Sequence, residues 1–212
     1  MACINNTEVF GLASAIYRSG YPMMDRAPTK AEYDNETTRI ATDIQYGNID
    51  NNPHIKRAIK LANAKGGGHD QFLTGIIVNF DLTFSNKAWV EGERYTFLNF
   101  ISSMSTMHRV AKFNIRECCN PRVTPVIIEE VERLQCVYNN ETDPDKKKEA
   151  YLDLLYNLPA GFELMAGMTT NYRCLKNIYH QRENHRLPDW HIFCDWVKTL
   201  PLAQELIIGV EA

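Results

Sequence analysis

The chain has 212 residues, of which 44% are hydrophobic and 23% charged, a composition typical of a globular protein with room for a sizeable core. Its formal net charge of -3 provides no basic field of the kind that polymeric nucleic acid usually selects. The first ten residues lack the apolar core of a signal peptide and no run of about 18 apolar residues follows, so we expect a cytoplasmic protein without a membrane partner.

The first strong helix signal follows Asn51-Asn52-Pro53, which offers a capping side chain and a first-turn proline. Apolar residues then recur at helical spacing through Ala62, and the glycines at 66–68 are expected to end this helix. Residues 76–84 alternate apolar and polar side chains, which is the period of a half-buried strand. The sequence therefore predicts a helix followed by a strand.

Helices dominate the remainder of the prediction. Residues 95–109 are predicted to form a helix with an aromatic-rich start. Thr124-Pro125 opens another helix, whose apolar side is expected to hold Val126, Ile127, Val131 and Leu134. After a polar break at 139–145, a further helix runs through Leu155.

A turn at 159–161 is followed by a long predicted helix from about 170 to 183. Pro188 interrupts the pattern, and residues 189–198 form a last amphipathic helix with Trp190, Phe193 and Val197 inward. The mixture of helices and strand predicts an α+β fold in a single domain, 1–212.

The long helix near the C-terminus carries polar residues on its apolar side. Asn171 and Arg182 point in nearly the same direction as that side, while Arg173 and Asn177 form a second polar pair on another face. Burying an amide and a guanidinium without partners costs several kcal/mol, so hydrogen-bonding partners are expected there. The spacing equally allows Asn171 to cap the helix start and Arg182 to reach solvent at its end.

Three groups of residues in fixed order resemble a known family. They are Gly68-His69 with Leu73 and the strand after it, His108-Arg109-Val110-Ala111 with Phe113-Asn114, and Asn171-x-Arg173 with Asn177, Arg182, His185 and Trp190-x-Ile192. Leu158-Pro159 precedes the third group at the expected distance. Over residues 53–193, this order and spacing resemble the flavin-dependent thymidylate synthases.

The resemblance implies a ThyX-like fold, with helices packed on a mostly antiparallel sheet, and a homotetramer. It implies FAD as cofactor, NADPH and methylene-tetrahydrofolate as cosubstrates, and one-carbon transfer to carbon 5 of dUMP, a pyrimidine deoxynucleotide, by a thymidylate synthase-like methyltransferase. No protein nucleophile is needed, because the cofactor carries the difficult chemistry.

The resemblance also assigns residues to roles. Arg182 is implied to be the catalytic residue that polarises the pyrimidine, and it binds the substrate together with Arg116 and Arg122. Guanidinium groups suit a pyrophosphate, and amides suit the edge of a flavin ring. The implied FAD-binding residues are His108, Arg109, Asn114, Asn171, Arg173, Asn177 and His185.

Several positions depart from the family pattern, and most of them are positions at which the family binds the nucleotide and its phosphate. The first arginine of the central motif is replaced by Met107 and a preceding glutamine by Met104. A later serine is replaced by Lys112, an expected histidine by Gly75 and an expected arginine by Leu155. Arg122 is displaced from the family's final arginine, and the stretch 87–97 is longer than the family's link.

Three functions therefore stay open: an enzyme acting on dUMP, an enzyme acting on another pyrimidine nucleotide, for instance by hydroxymethylation, or a flavin or nucleotide binder without turnover. Weak recognition of dUMP is expected, unless Arg116, Arg122 or Lys112 replaces the lost positive charge.

The six cysteines include the adjacent pair Cys118-Cys119 and no Cys-x-x-Cys, so most are expected to be reduced, small core residues. Arg116 and Arg122 lie near enough in sequence to lower a thiol pKa, which leaves a nucleophilic thiolate at Cys118 or Cys119 as an alternative. The histidines at 180, 185 and 191 fall on different helical faces from Cys174 and Cys194, so no metal site is expected.

Overall fold

The computed structural model describes residues 2–66 and 68–209. The strands are β1 (Cys3–Phe10), β2 (Ile77–Ser85), β3 (Asn99–Ser103) and β4 (Glu163–Asn171). The helices are α1 (Leu12–Arg18), α2 (Lys30–Gln45), α3 (Pro53–Ala62), α4 (Asn86–Gly92), α5 (Thr106–Arg109), α6 (Pro125–Asn140), α7 (Pro144–Tyr156), α8 (Tyr172–Arg182) and α9 (Pro188–Lys198). Short 3-10 segments include His69–Gly75 and Val110–Lys112, and Gln204–Ile208 is a π-helix.

The strands form one sheet in the order β1-β2-β4-β3. At one end of the central pair the Tyr172 amide donates to Ile76, and at the other end the Asn86 amide donates to Phe162, a pattern that only antiparallel strands allow. The predicted α+β fold with a mostly antiparallel sheet is confirmed.

Two compact units divide the chain, and their boundary falls within each of the four strands. Unit 1 contains Met1–Asn5, Asp81–Arg94 and Phe100–Met168, and unit 2 contains Asn6–Phe80, Tyr95–Asn99 and Thr169–Ala212. The predicted strand at 76–84 is confirmed as β2, in which the apolar side chains at alternate positions are buried in both units: Val78, Phe80, Leu82 and Phe84.

Unit 1 is built around the antiparallel helices α6 and α7. Helix α6 begins at Pro125, as predicted, whereas α6 ends at Asn140 and α7 begins at Pro144, both inside the predicted polar break. The Asp143 carboxylate accepts the first two free N–H groups of α7. The buried face of α6 differs from the prediction, because Ile128 and Val131 are buried while Val126 and Ile127 are 69% and 43% exposed. The core of this unit is completed by Val110, Ile115, Cys119, Leu154 and Phe162.

Unit 2 places α9 against its part of the sheet. Trp190, Phe193 and Val197 are fully buried, which confirms the predicted inner face. The Trp196 ring lies 4.4 Å from that of Phe80, and its indole N–H donates to Thr7 at 2.9 Å. The last predicted helix is therefore fixed to both β1 and β2 by aromatic packing and a hydrogen bond.

Two stretches that were predicted to be helical contain strands in the structure. The 95–109 prediction is wrong, because this stretch pairs as β3 before the short helix α5 begins. The helix predicted from about 170 begins at Tyr172, because the residues before it form β4. Strand pairing partners lie far away in sequence, so local spacing did not reveal them.

The helix predicted after Pro53 is confirmed as α3, and the Asn52 carbonyl oxygen accepts from the His54 and Ile55 amides. This helix ends at Ala62, before the glycines, so the predicted glycine stop is wrong for Gly66 and Gly68, while Gly67 lies outside the described residues. Asn63 is the cap instead, and its side-chain amide donates to Ile59 and Glu205 carbonyls at 2.8 Å each.

A membrane span is not found in the part of the chain that the structure describes: its helices are either too short or too polar to cross a bilayer.

In unit 2, a histidine and an arginine join the first three helices. Arg57 of α3 donates to the carbonyls of Ile16 and Tyr17 at the end of α1, each at 3.2 Å. The same guanidinium lies 3.1 Å from His54 Nδ1, and His54 Nε2 lies 3.2 Å from Glu36 of α2. Because arginine only donates, Nδ1 must accept and the proton must sit on Nε2.

This network predicts a pH-dependent stability. Burial, followed by the charge of Arg57, lowers the pKa of His54 from 6.5, so the unfolded chain binds a proton at a higher pH than the folded chain does. The stabilisation of the folded protein by neutral His54 is complete above pH 6.5 and is lost as the pH falls through the lowered pKa of His54. We expect the free energy of unfolding, relative to that of His54→Gln, to decrease over this interval in denaturant titrations. A difference that stays constant or grows towards acid would contradict the network.

Candidate functional site

His108 and Arg109 open onto a cavity in unit 1. They end the short helix α5 and line a cavity of about 580 Å³ together with Ser103, Met104, Ser105, Lys112 and Phe113. Arg109 and Lys112, the two basic residues besides His108 that line it, are exposed. Among the described residues, none forms a hydrogen bond or an ion pair with either cation's side chain, and no carboxylate lines the cavity. Its chemistry therefore suits an anion.

The segment beneath this cavity is held by side chains of α6 and α7. Gln135 Nε2 donates to the carbonyls of Val110 and Phe113, at 2.9 Å each, and Asn139 Nδ2 donates to Ala111 at 3.2 Å. Tyr151 donates its hydroxyl to the carbonyl of Met107 at 2.9 Å. These bonds give hydrogen-bond donors to backbone carbonyls of α5, of the 3-10 segment and of the residue that follows it. Sequence reasoning missed Gln135 because no local signal marks it.

The other candidates in unit 1 have partners of their own. Arg116 forms an ion pair with Glu132 at 2.8 Å. The side chain of Asn114 accepts from the Glu117 amide at 3.4 Å and so closes a local turn. Arg122 is exposed, and its backbone amide donates to Asn120. Of these three residues none lines the cavity beside His108 and Arg109.

The cysteine pair lies in an environment that opposes the thiolate hypothesis. Burial raises the pKa of the Cys118 thiol, with Glu117 as a further cause, and burial likewise raises the pKa of Cys119. A raised pKa reduces the thiolate fraction at neutral pH. All six cysteines are free, and of them Cys119, Cys174 and Cys194 are buried, whereas Cys3 and Cys136 are exposed.

In unit 2, the candidates on α8 are engaged within the protein. Asn171 is the N-cap, and its side-chain oxygen accepts from the Cys174 amide at 2.9 Å, so the capping interpretation is confirmed. Arg173 pairs with Asp70 at 3.2 Å and donates to Gln71 at 2.6 Å. Both partners lie in the 3-10 segment His69–Gly75, so Arg173 joins the Gly-His segment of the sequence to the α8 segment.

Arg182 is buried, with 5% of its surface exposed, so it does not reach solvent from the end of α8. Its Nε donates to the Tyr95 hydroxyl at 2.7 Å, and its guanidinium lies 4.6 Å from the centre of the Trp190 ring. Tyr95 donates in turn to Gln181 at 3.1 Å, and Gln181 donates to Asn177 at 2.9 Å. A chain of hydrogen bonds thus joins the buried Arg182 to the exposed Asn177.

His185 belongs to the turn after α8. Its Nδ1 accepts from the Leu187 amide at 3.2 Å, and its ring packs edge-on against Trp190. No group of three or more His, Cys, Asp or Glu side chains within 2–66 and 68–209 is arranged to hold a metal ion.

The structure brings two of the predicted site residues together in each unit. His108 and Arg109 share the cavity of unit 1, whereas Asn177 and Arg182 share one hydrogen-bonded chain in unit 2. Unit 2 also contains a cavity of about 350 Å³, which the sequence did not indicate, lined by Ser14, Ala15, Arg18, Phe72, Thr74 and Gly75. Its residues include the end of the Gly-His segment.

No protein-family model matches the sequence, and no curated protein matches it. Solved structures are similar over nearly the whole chain. One is thymidylate synthase X (ThyX) from Helicobacter pylori with FAD and dUMP, which is 15% identical, with 98% of this chain and 97% of that chain covered at a TM-score of 0.51. Another is a flavin-dependent thymidylate synthase ThyX from Helicobacter pylori complexed with FAD and dUMP, also 15% identical, with 97% of each chain covered at a TM-score of 0.50. The chain has the ThyX fold, as its motifs implied.

Proposed function

We propose that this protein is an FAD-dependent enzyme that transfers a one-carbon unit to carbon 5 of a pyrimidine deoxynucleotide. NADPH and methylene-tetrahydrofolate are the proposed cosubstrates. The observation that carries the proposal is the cavity at His108 and Arg109, which is cationic and lies at the motif shared in sequence with flavin-dependent thymidylate synthases. The ThyX fold of the chain supports the same assignment.

The residues at the cavity fit a phosphate-bearing cofactor. Arg109 offers a planar fork of donors, and Ser103 and Ser105 add hydroxyl groups, all in a space with no lining carboxylate among the described residues. Bound FAD would supply the redox chemistry of the transfer. Arg109 and His108 would hold its phosphates, and Arg173, Asn177 and His185 are proposed as further flavin contacts. Asn114 and Asn171 are proposed with them, acting through the turns that they cap.

Arg182 is the proposed catalytic residue. A guanidinium enclosed by Tyr95 and Trp190 is shielded from water, and so its charge acts on a nearby pyrimidine carbonyl more strongly than it would in solvent. Tyr95 fixes one edge of the guanidinium through Nε. We infer that Tyr95 orients Arg182 for its proposed role of polarising the base.

A second candidate is the same reaction on a pyrimidine nucleotide other than dUMP, including hydroxymethylation. Arg116 is paired with Glu132, so its charge is partly neutralised, and it does not line the cavity. Met107 and Leu155 replace arginines of the family pattern. Arg116 is thus a poor replacement for the lost phosphate contacts, which leaves Arg122 and Lys112. The loss of these arginines favours a pyrimidine nucleotide other than dUMP as the substrate.

Assembly into a homotetramer is also proposed. The edge strand β3 exposes Phe100 and Ile101, which are 53% and 60% exposed, and Met104 and Met107 follow it on the surface. An exposed edge strand with large apolar side chains is a surface that proteins usually cover. A second copy of the chain would cover it.

The reaction itself is tested by incubating the FAD-loaded protein with NADPH, methylene-tetrahydrofolate and either dUMP or dCMP, and identifying products by mass. We expect a one-carbon product from a pyrimidine deoxynucleotide, with dUMP converted poorly. Efficient formation of dTMP would contradict the altered substrate, whereas the absence of any one-carbon product would contradict the enzymatic function.

Tyr95→Phe tests the role given to Arg182. Removing the hydroxyl leaves the buried Nε without this acceptor, so we expect the free energy of unfolding to fall by about 1–3 kcal/mol. The rate of one-carbon transfer should fall about tenfold, a barrier increase of about 1.4 kcal/mol, with FAD affinity unchanged. Tyr156→Phe is the matched control, because Tyr156 is 82% exposed. Equal behaviour of the two variants would refute the role of Tyr95.

A further inference from the structure

Lys112 is a cation of the cavity that the resemblance does not place among the flavin-binding or substrate-binding residues. It follows His108 and Arg109 by one helical turn and lines the same cavity. Its ammonium has no ion-pair or hydrogen-bond partner within the described ranges. Arg116 is paired with Glu132 and does not line the cavity. The cavity therefore takes positive charge from Arg109 and Lys112.

The backbone around Lys112 is fixed on both sides. Gln135 binds the carbonyls of Val110 and Phe113, and Asn139 binds that of Ala111. Two of these carbonyls belong to the residues on either side of Lys112, so the direction in which its side chain leaves the backbone is set before a ligand binds. Preorganisation of this kind reduces the entropy that binding must overcome.

The same bonds favour an anion electrostatically. A peptide carbonyl oxygen carries partial negative charge, which would oppose a phosphate if it faced the cavity. Here the carbonyl oxygens on either side of Lys112 accept from Gln135 and Asn139, and neither of these donors lines the cavity. The cavity thus presents the ammonium of Lys112, the guanidinium of Arg109 and two serine hydroxyls, besides His108 and apolar side chains.

We propose that Lys112 acts with Arg109 to bind a phosphate group of the ligand, and that Gln135 is the residue that positions Lys112. This proposal rests on the proposed function for the identity of the ligand, which is the FAD pyrophosphate or the phosphate of the nucleotide substrate. In both cases a phosphate group is bound by Lys112 and Arg109, on a segment whose backbone is held by Gln135 and Asn139.

The test compares Lys112→Met with Lys148→Met, a control at an exposed lysine of unit 1 outside the cavity. Dissociation constants are measured by calorimetry for inorganic pyrophosphate, and then for two ligand pairs that differ in phosphate: FAD against riboflavin, and dUMP against deoxyuridine. Losing one charge-assisted contact should weaken binding of pyrophosphate about tenfold or more in Lys112→Met and leave it unchanged in Lys148→Met.

The ligand pairs identify the source of the phosphate. If FAD is weakened and riboflavin is not, Lys112 binds the cofactor; if dUMP is weakened and deoxyuridine is not, it binds the substrate. Wild-type protein that binds pyrophosphate in a Lys112-dependent manner but never binds FAD would refute the proposed flavin function and leave this inference standing. Unchanged affinities in Lys112→Met, or no phosphate binding by the wild type, would overturn the inference.

Gln135→Leu tests positioning, because leucine keeps the approximate size and removes both donors. We expect pyrophosphate binding to weaken several-fold in Gln135→Leu alone. The same substitution should have little further effect in a chain that already carries Lys112→Met, since the two residues act through one contact. Equal losses in both backgrounds would show that Gln135 only supports the fold.

Discussion

The peptide carbonyls of residues 107–113 need donors, and the site in unit 1 depends on how they are provided. Gln135, Asn139 and Tyr151 of α6 and α7 supply the donors. The core of unit 1 holds those helices in place, so its packing decides where His108, Arg109 and Lys112 lie. Arg109 and Lys112, which have no ion-pair partner within residues 2–66 and 68–209, are then available to an anion.

In unit 2, three arginines are engaged by groups of the protein. Arg57 caps α1, Arg173 pairs with Asp70, and Arg182 is enclosed by aromatic rings. A buried guanidinium is tolerated only where its hydrogen bonds are met. Burial of Arg182 beside Tyr95 therefore gives a charge of fixed direction, which suits polarising a base better than capturing a mobile phosphate.

Local signals in the sequence predicted local structure well: the Asn52 cap of α3, the alternation of β2 and the apolar face of α9. The prediction failed where spacing was misleading. Phe97, Phe100, Ile101 and Met104 recur as on one face of a helix, yet all four are exposed, and Phe100 and Ile101 belong to β3. The ordered motifs identified His108 and Arg109. They could not reveal Gln135 and Tyr95, whose partners lie 25 and 87 residues away.

The central claim is that the chain binds FAD through the cationic cavity, and the most direct measurement is a titration of FAD into the purified protein followed by the flavin absorption and fluorescence. The account predicts saturable binding that weakens about tenfold or more in Arg109→Gln, because a charge-assisted contact is lost, and not in the surface control Arg186→Gln. Absence of saturable binding, or equal affinity in wild type and Arg109→Gln, would contradict it.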